Sequence, residues 1–336
     1  MNSGLSVFGW QRMMLVIATF SFVLCSIVAK ADQESLGKTL PSDELIYSFL
    51  DDSHTYLQGK IKGPTIWFDN FFGDPRVEDS EIPTSFIRFR AVSRYTEGEK
   101  LTFPVRFLAN LTLPKVNQRL HLIFFGGNSQ DAQQERSGDE IDSTLQEDGN
   151  IEDRTNLGLR YVFFDSLRSW FHFGGGVRLG WPVDYYGRMH YGRVLHRGKL
   201  NVIRFTEVVF WKSQAGFGET SRLDLERILS EKITGRLSFY GTFVENKDGL
   251  QWGTEVNLFR PFSPKAAMAL DLGMYGVEKP SFKAIKYRLA IRYRQNIFRR
   301  WLFYEIEPEV NYYPGADHPD HTVGIITLVL EFQFVS

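Results

Sequence analysis

The chain has 336 residues, a net charge of −1 and an aromatic content of 15%. The balanced charge gives no argument for nucleic acid as a partner. A mean hydropathy of −0.23 excludes a protein built from several membrane-spanning helices. It does not exclude a membrane-spanning β-barrel, because half of each barrel strand is polar.

The first 31 residues have the pattern of a signal peptide. Arg12 precedes an apolar stretch from Met13 to Leu24, and Ala29-Lys30-Ala31 is a small-x-small cleavage site. A single membrane anchor is the alternative, although the apolar stretch is short for a span. Cleavage after Ala31 would remove Cys25, the only cysteine, and would exclude disulfides and thiol catalysis in the mature chain.

Residues 32–83 form a segment of a different kind. Pro41 and Ser42 open a stretch whose apolar residues fall on one helical face. An aromatic cluster follows, formed by Trp67, Phe68, Phe71 and Phe72. We expect either a periplasmic flap or a plug packed in the mouth of a barrel, and the sequence leaves both open.

From residue 84 onward, apolar and polar residues alternate with a period of two, which puts each set on one face of a strand. In the last strand Leu328, Leu330 and Phe332 alternate with Val329 and Glu331. We predict an antiparallel transmembrane β-barrel of fourteen strands, with twelve or sixteen also compatible. The predicted spans are 84–95, 100–113, 119–127, 155–164, 170–180, 185–196, 200–212, 218–229, 233–244, 250–260, 266–277, 284–297, 301–313 and 322–334.

The predicted connections differ between the two ends of the barrel. Those after even-numbered strands have about five residues or fewer, whereas the one after the third strand covers 128–154, an asymmetry that is typical of outer-membrane barrels. Residues 128–153 carry nine acids and one base, Arg136. We predict a solvated external loop, with recruitment of divalent cations near lipopolysaccharide as the alternative.

Two predicted strands place a charge on the apolar face. Glu207 is in phase with Phe205, and Arg227 is in phase with Leu225. Either a bulge shifts the phase, or these residues lie near the membrane interface.

Charged residues on the polar face of the strands are the candidate functional residues. One reading is an aqueous pore whose wall charges select solutes. The others are an ion-pair ladder that neutralises itself and stiffens the wall, and a site for a specific ligand. The candidates are Arg88, Arg90, Arg106, Arg160, Arg178, Arg222, Asp224, Glu226, Glu255, Asp271, Arg288, Arg292, Arg294, Glu305, Glu307, Glu309 and Glu331.

No motif indicates catalysis or a bound cofactor. The chain has no Gly-x-Ser-x-Gly elbow, Walker sequence, dinucleotide-binding loop or Cys-x-x-Cys pair. His318 and His321, with Asp317 and Asp320, imitate a metal site, but a loop pair of histidines is more often unliganded. We therefore predict no enzyme, no catalytic residue, no metal and no cofactor.

Three segments resemble a group of uncharacterised proteobacterial outer-membrane β-barrel proteins. They are Phe71-Phe72-Gly73-Asp74-Pro75-Arg76, Gly216-Phe217-Gly218-Glu219-Thr220-Ser221-Arg222-Leu223-Asp224 and Trp301-Leu302-Phe303-Tyr304-Glu305-Ile306-Glu307-Pro308-Glu309-Val310. The resemblance runs from about residue 67 to the C-terminus. It implies a barrel in the outer membrane and no particular activity.

The sequence thus predicts a signal peptide at 1–31, a periplasmic or plug-like segment at 32–83 and an outer-membrane barrel at 84–336. The leading functional hypothesis is a porin-like channel for small hydrophilic solutes. A plugged, non-conducting structural or assembly barrel is the second hypothesis, and an enzyme that modifies outer-membrane lipid is the third. The expected partners are outer-membrane lipid, lipopolysaccharide and the barrel insertion machinery, with the oligomeric state undetermined.

Overall fold

The structure is a computed structural model that describes Phe68, Phe71, Phe72 and residues 85–113, 117–127, 154–166, 168–179, 183–299, 301–314 and 322–335. Fourteen antiparallel strands form one closed barrel in which each strand pairs with its neighbours in the chain and β1 pairs with β14. The strands are β1 (Phe86–Thr96), β2 (Val105–Leu113), β3 (Asn117–Gly127), β4 (Arg154–Asp165), β5 (Ser169–Leu179), β6 (Asp184–Arg197), β7 (Asn201–Lys212), β8 (Gly216–Ser230), β9 (Ile233–Val244), β10 (Gln251–Ser263), β11 (Ala266–Val277), β12 (Lys283–Asn296), β13 (Leu302–Tyr312) and β14 (Thr322–Val335).

All fourteen predicted strands are present, and most bounds agree within two residues. The clearest difference is β2, which begins at Val105 and not at residue 100. Pro104 has no backbone N–H to donate to a ladder, so only its carbonyl is used, as the acceptor of a bond from the Val92 N–H. The strand pairing therefore becomes regular only after this proline.

The alternation separates an inner face from an outer face. Along β13, Glu305 and Glu307 are 1% and 3% exposed, while Ile306 between them is 41% exposed. Along β14, Leu328 and Leu330 are exposed and Glu331 is buried. The charged side chains therefore point into the barrel, and the large apolar side chains form its outer surface.

The two ends of the barrel carry different connections. We call the end where β1 begins and β14 finishes the terminal end, and the opposite end the loop end. Connections at the terminal end have two to five residues: 114–116, 166–168, 198–200, 231–232, 264–265 and 297–301. The loop end carries the longer ones, including 97–104, 128–153 and 313–321, so the predicted asymmetry is confirmed.

Aromatic rings lie against glycines of the neighbouring strand along the inner wall. A Cβ built on Gly192 in β6 would meet the Trp170 ring of β5 at 1.9 Å, and one on Gly253 in β10 would meet the Tyr240 ring of β9 at 2.3 Å. A glycine leaves the space that each ring occupies, and the ring covers the backbone that the glycine exposes. These rings are thus held against the wall.

Glu207 and Arg227 both lie on the outer face, and no bulge explains them. The β7–β8 register runs without a shift from Asn201↔Arg227 to Lys212↔Gly216. Arg227 is opposite the first residue of β7, at the terminal end of the strand. Glu207 lies in the middle of β7 and accepts a hydrogen bond from the Ser221 hydroxyl at 2.7 Å.

Several predictions fall outside the described residues: the signal peptide, the helical stretch after Pro41, the acidic loop and the His318–His321 pair. No helix among the described residues is long and apolar enough to cross a membrane.

Candidate functional site: the charged interior of the barrel

The candidate charges from the sequence all lie on the inner face of the barrel. Fifteen of the seventeen are buried, and Arg90 and Arg160 are half-buried. Their inward direction follows from the period of two. Whether they act on a passing solute stays a prediction.

The arginines of β12 bind acids on both neighbouring strands. The Arg288 guanidinium lies 2.7 Å from Glu307 and 2.9 Å from Glu309 on β13. On the other side, Arg292 lies 2.6 Å from Asp271 on β11. The predicted ion-pair ladder is therefore present in this part of the wall, and it cross-links three strands.

Glu331 on β14 forms ion pairs with three arginines. Its carboxylate oxygens lie 3.4 Å from Arg88 Nε, 2.5 Å from Arg90 Nε and 2.6 Å from an Arg294 terminal nitrogen. Arg294 also lies 3.5 Å from Glu305. Glu331 thus pairs with two arginines of the first strand across the seam that closes the barrel.

A third group of ion pairs links the four strands β7, β8, β9 and β10. Arg222 lies 3.0 Å from Asp224 and 3.2 Å from Glu255. Glu226 lies 3.2 Å from Arg204 on β7 and 3.3 Å from Arg236 on β9. Paired charges of this kind stiffen a wall and lower its net field.

Sequence reasoning missed several inward-facing titratable residues. Their position in the alternation indicates the inner face, but apolar or small residues share that face and obscure the pattern. Arg204, for example, lies on the inner face of β7 together with Val202 and Val208. The missed residues are Arg94, His121, His172, Asp184, Arg188, His190, Arg204, Lys212, Arg236 and Lys286.

Three phenylalanines from the segment that precedes the barrel pack inside it. We call Phe68, Phe71 and Phe72, which have helical backbone, the aromatic anchor. The Phe68 ring stacks on Phe259 of β10 with centroids 4.9 Å apart. Phe68 and Phe72 form one buried apolar cluster with Phe259, Ala267 and Ala269; the last two are small inward residues of β11 that leave room for the rings.

The anchor also contacts the arginine networks. The Arg292 guanidinium lies 4.8 Å from the centre of the Phe72 ring, and that of Arg294 lies 5.9 Å from Phe71. Arg90 donates a hydrogen bond of 3.4 Å to the Phe72 carbonyl. Desolvated cation–π contacts contribute about 2 kcal/mol each.

The anchor lies toward the terminal end of the barrel. Its wall contacts are the late residues of β10 and β12 and the early residues of β11 and β13, where Phe303 meets Phe71 at 6.0 Å. Phe72 is 1% exposed and Phe68 is 5% exposed. Apolar rings therefore occupy part of the lumen beside the arginines of β1 and β12.

Histidines do not form a metal centre in the described part of the chain. His172 and His190 face each other across β5 and β6 with ring centroids 4.7 Å apart. Among the described residues, no three metal-ligating side chains are placed to hold one ion.

Comparisons with known proteins identify no family. No protein-family model matches the chain, and no curated protein matches it, so the family resemblance stays a prediction.

Several solved outer-membrane proteins have a similar shape. The anion-selective porin from Comamonas acidovorans shares 8% identity over 75% of this chain and 99% of that chain, with a TM-score of 0.45. Outer-membrane expressed OmpT of Vibrio cholerae shares 11% over 74% and 97%, with a TM-score of 0.44. The outer membrane channel DcaP of Acinetobacter baumannii shares 8% over 75% and 96%, with a TM-score of 0.43. At these values the likeness carries no argument about function.

Proposed function

We propose that this chain is a bacterial outer-membrane channel for small hydrophilic solutes whose resting state is closed by the aromatic anchor. The observation that carries the proposal is the burial of Phe68 and Phe72 inside the barrel, with Phe71 partly buried beside them. A fourteen-stranded barrel is wide enough for a water-filled lumen unless something fills it. The porin-like channel and the plugged barrel would then be the open and the closed state of one molecule.

The outer surface supports the membrane location. Large apolar residues alternate with inward charges, and many are exposed, such as Phe243 at 53% and Phe334 at 51%. Exposing so many apolar side chains to water would destabilise a soluble protein and favour its aggregation. The short connections at the terminal end fit the periplasmic side of such barrels, so the anchor would close the channel from the periplasm.

The inner surface supports passage after the anchor leaves. Charged side chains of β8–β14 are held against the wall by ion pairs between strands, such as Arg288–Glu309 between β12 and β13 and Arg222–Glu255 between β8 and β10. The rings of Tyr240 and Tyr275 lie against Gly253 and Gly273. These contacts stiffen the wall and would leave charged side chains along the lumen once the three phenyl rings are removed.

Planar bilayer recordings test the proposal. The purified wild-type chain should be nearly silent, and a Phe68→Ala, Phe71→Ala, Phe72→Ala variant should conduct in steps. Each buried phenyl contributes about 1.5–3 kcal/mol, and 1.4 kcal/mol is a factor of ten in an equilibrium. The open fraction should therefore rise by at least about tenfold per ring.

The matched control changes phenylalanines of the outer face. Phe239→Ala with Phe243→Ala removes rings that are 42% and 53% exposed. This variant, which keeps the aromatic anchor, should be as silent as the wild type. Steady conductance of the wild type would exclude closure by the anchor. Silence of the anchor variant, with a normal heat-modifiable gel shift, would favour the non-conducting structural barrel. The prediction that the chain is not an enzyme stays a prediction.

A further inference from the structure

The connections at the terminal end of the barrel are basic. Each of the six carries at least one lysine or arginine in the sequence, and together they hold seven bases and one acid, Glu231. Five of these bases are exposed in the structure. We call these five the basic rim, and they are Arg168, Lys199, Lys232, Lys265 and Arg299.

The connections at the loop end have the opposite charge. The seven connections there hold sixteen acids and four bases, and nine of the acids lie in residues 128–153. Positive charge is therefore concentrated at one end of the strands and negative charge at the other. A partner that the terminal end attracts through its field carries negative charge.

Exposed apolar side chains accompany the basic rim. Leu200 and Leu229 are exposed at the terminal ends of the β6–β7 and β8–β9 hairpins. Phe298, next to Arg299 in the β12–β13 connection, is 94% exposed, and Trp301 in the same connection is also exposed. A partner at this end therefore meets cations and hydrocarbon together, as at the boundary between the headgroups and the acyl chains of a bilayer.

The basic rim extends around the barrel. Its residues occupy five connections, from the one between β4 and β5 to the one between β12 and β13. Neighbouring connections are two strands apart, which is roughly 10 Å along the rim. A protein partner would cover one side of such a rim, whereas lipid surrounds a barrel on all sides. Lysine and arginine both bind phosphate, the charged group that phospholipid headgroups share.

We propose that the basic rim binds the headgroups of anionic phospholipids at the terminal end of the barrel. This inference rests on the membrane location in the proposed function. Basic residues beside a bilayer attract anionic lipid, and the acidic connections at the loop end confine this preference to one end.

Tryptophan quenching by brominated lipids tests the preference. The full-length protein is placed in vesicles of equimolar phosphatidylcholine and phosphatidylglycerol, with either lipid brominated in turn. The association constant of phosphatidylglycerol should exceed that of phosphatidylcholine about fivefold, the factor that one base near a charged surface gives. Potassium chloride at about 1 M shortens the Debye length to about 3 Å and should reduce the preference.

Two matched sets of substitutions locate the lipid contact. Replacement of three rim lysines should bring the ratio of association constants close to one: Lys199→Gln, Lys232→Gln and Lys265→Gln. The control makes the same change at three lysines of the loop end and should keep the wild-type ratio: Lys100→Gln, Lys247→Gln and Lys279→Gln. The heat-modifiable gel shift verifies that both sets fold.

Two tryptophans on the outer face report on the two ends separately. Trp301 at the terminal end is 38% exposed, and Trp211 at the loop end is 39% exposed. Trp301→Phe should remove most of the difference between the two brominated lipids, and Trp211→Phe should increase it. A preference that is lost with Trp211→Phe would place the anionic lipid at the loop end and overturn the inference.

The remaining outcomes separate the inference from the proposed function. Equal quenching by the two lipids would overturn the inference, leave the channel standing and make an acidic protein the candidate partner of the rim. Absence of quenching by either lipid would overturn the membrane location and the inference together. Loss of the preference on addition of soluble glycerol 3-phosphate would indicate a site for free phosphate and overturn the lipid site.

Discussion

Glu331 on β14 binds Arg90 on β1 across the seam that closes the barrel, with 2.5 Å between the carboxylate and Arg90 Nε. The two residues are 241 positions apart in the chain. The same carboxylate holds Arg294 of β12, so one acid joins the last strand to β1 and to β12. Glu331 therefore supports closure of the barrel from its inner face.

Glu331→Gln should lower the free energy of unfolding by about 3–5 kcal/mol, because it leaves buried arginines without their shared carboxylate. Guanidinium unfolding in lipid vesicles, followed by tryptophan fluorescence, measures the change. Glu231→Gln, in the exposed turn between β8 and β9, is the control and should change stability little. Equal stability of the two variants would contradict the role of Glu331 at the seam.

Gly192→Ala should destabilise the barrel by about 1–3 kcal/mol, the usual effect of overpacking. Its new methyl group would meet the Trp170 ring at 1.9 Å. Gly187→Ala in the same strand has nothing within 4 Å of its Cβ and is the matched control. The unfolding midpoint should separate the two variants, and a similar loss in both would show that the ring is not held by the glycine.

Glu207→Leu should raise the free energy of unfolding in vesicles by about 1 kcal/mol, since a carboxylate on the lipid-facing side of a barrel costs less than an arginine but remains unfavourable. The change also removes the bond from Ser221. Glu255→Leu makes the same substitution on the inner face and should destabilise, because Arg222 loses an acid. A loss of stability at Glu207 would indicate that this carboxylate has a partner in the membrane.

Tethering the anchor to the wall should lock the channel. The chain carries no cysteine besides Cys25, so Phe68→Cys with Phe259→Cys provides a unique pair where two rings now stack at 4.9 Å. A short bis-maleimide should join them, and the joined protein should stay silent in bilayers while the untreated pair conducts. Phe68→Cys with Phe239→Cys, whose second residue is on the outer face, should not join. Conductance of the joined protein would mean that the anchor does not block the lumen.

Much of the fold could be predicted because both faces of a barrel wall impose a chemical rule. In the proposed membrane location, lipid would exclude charge from residues such as Leu328 and Ile306, and the interior accepts it at Glu305 and Glu331. The rule is local, so it can be read along one strand at a time. The alternation rule was less informative where the inner face is apolar, as around Arg204. It also predicted the start of β2 too early, because Pro104 interrupts the pairing without changing the alternation.

The aromatic cluster marks the limit of local reasoning. Its composition left a flap and a plug equally open, because Phe68, Phe71 and Phe72 would suit any apolar partner. Their partner is a patch formed by Phe259, Ala267 and Ala269 of the β10–β11 hairpin, which lies far along the chain from the anchor.

The sequence by itself determined the strands, their faces and the short and long ends of the barrel, because these depend on residues that are neighbours in the chain. Only the tertiary structure decided that Glu331 holds arginines of β1 and β12, and that the anchor lies inside the lumen. Both bring together residues that are far apart in the sequence, which the alternation along one strand cannot pair. The charges that the alternation directs inward acquire their partners only when the strands pair and the barrel closes.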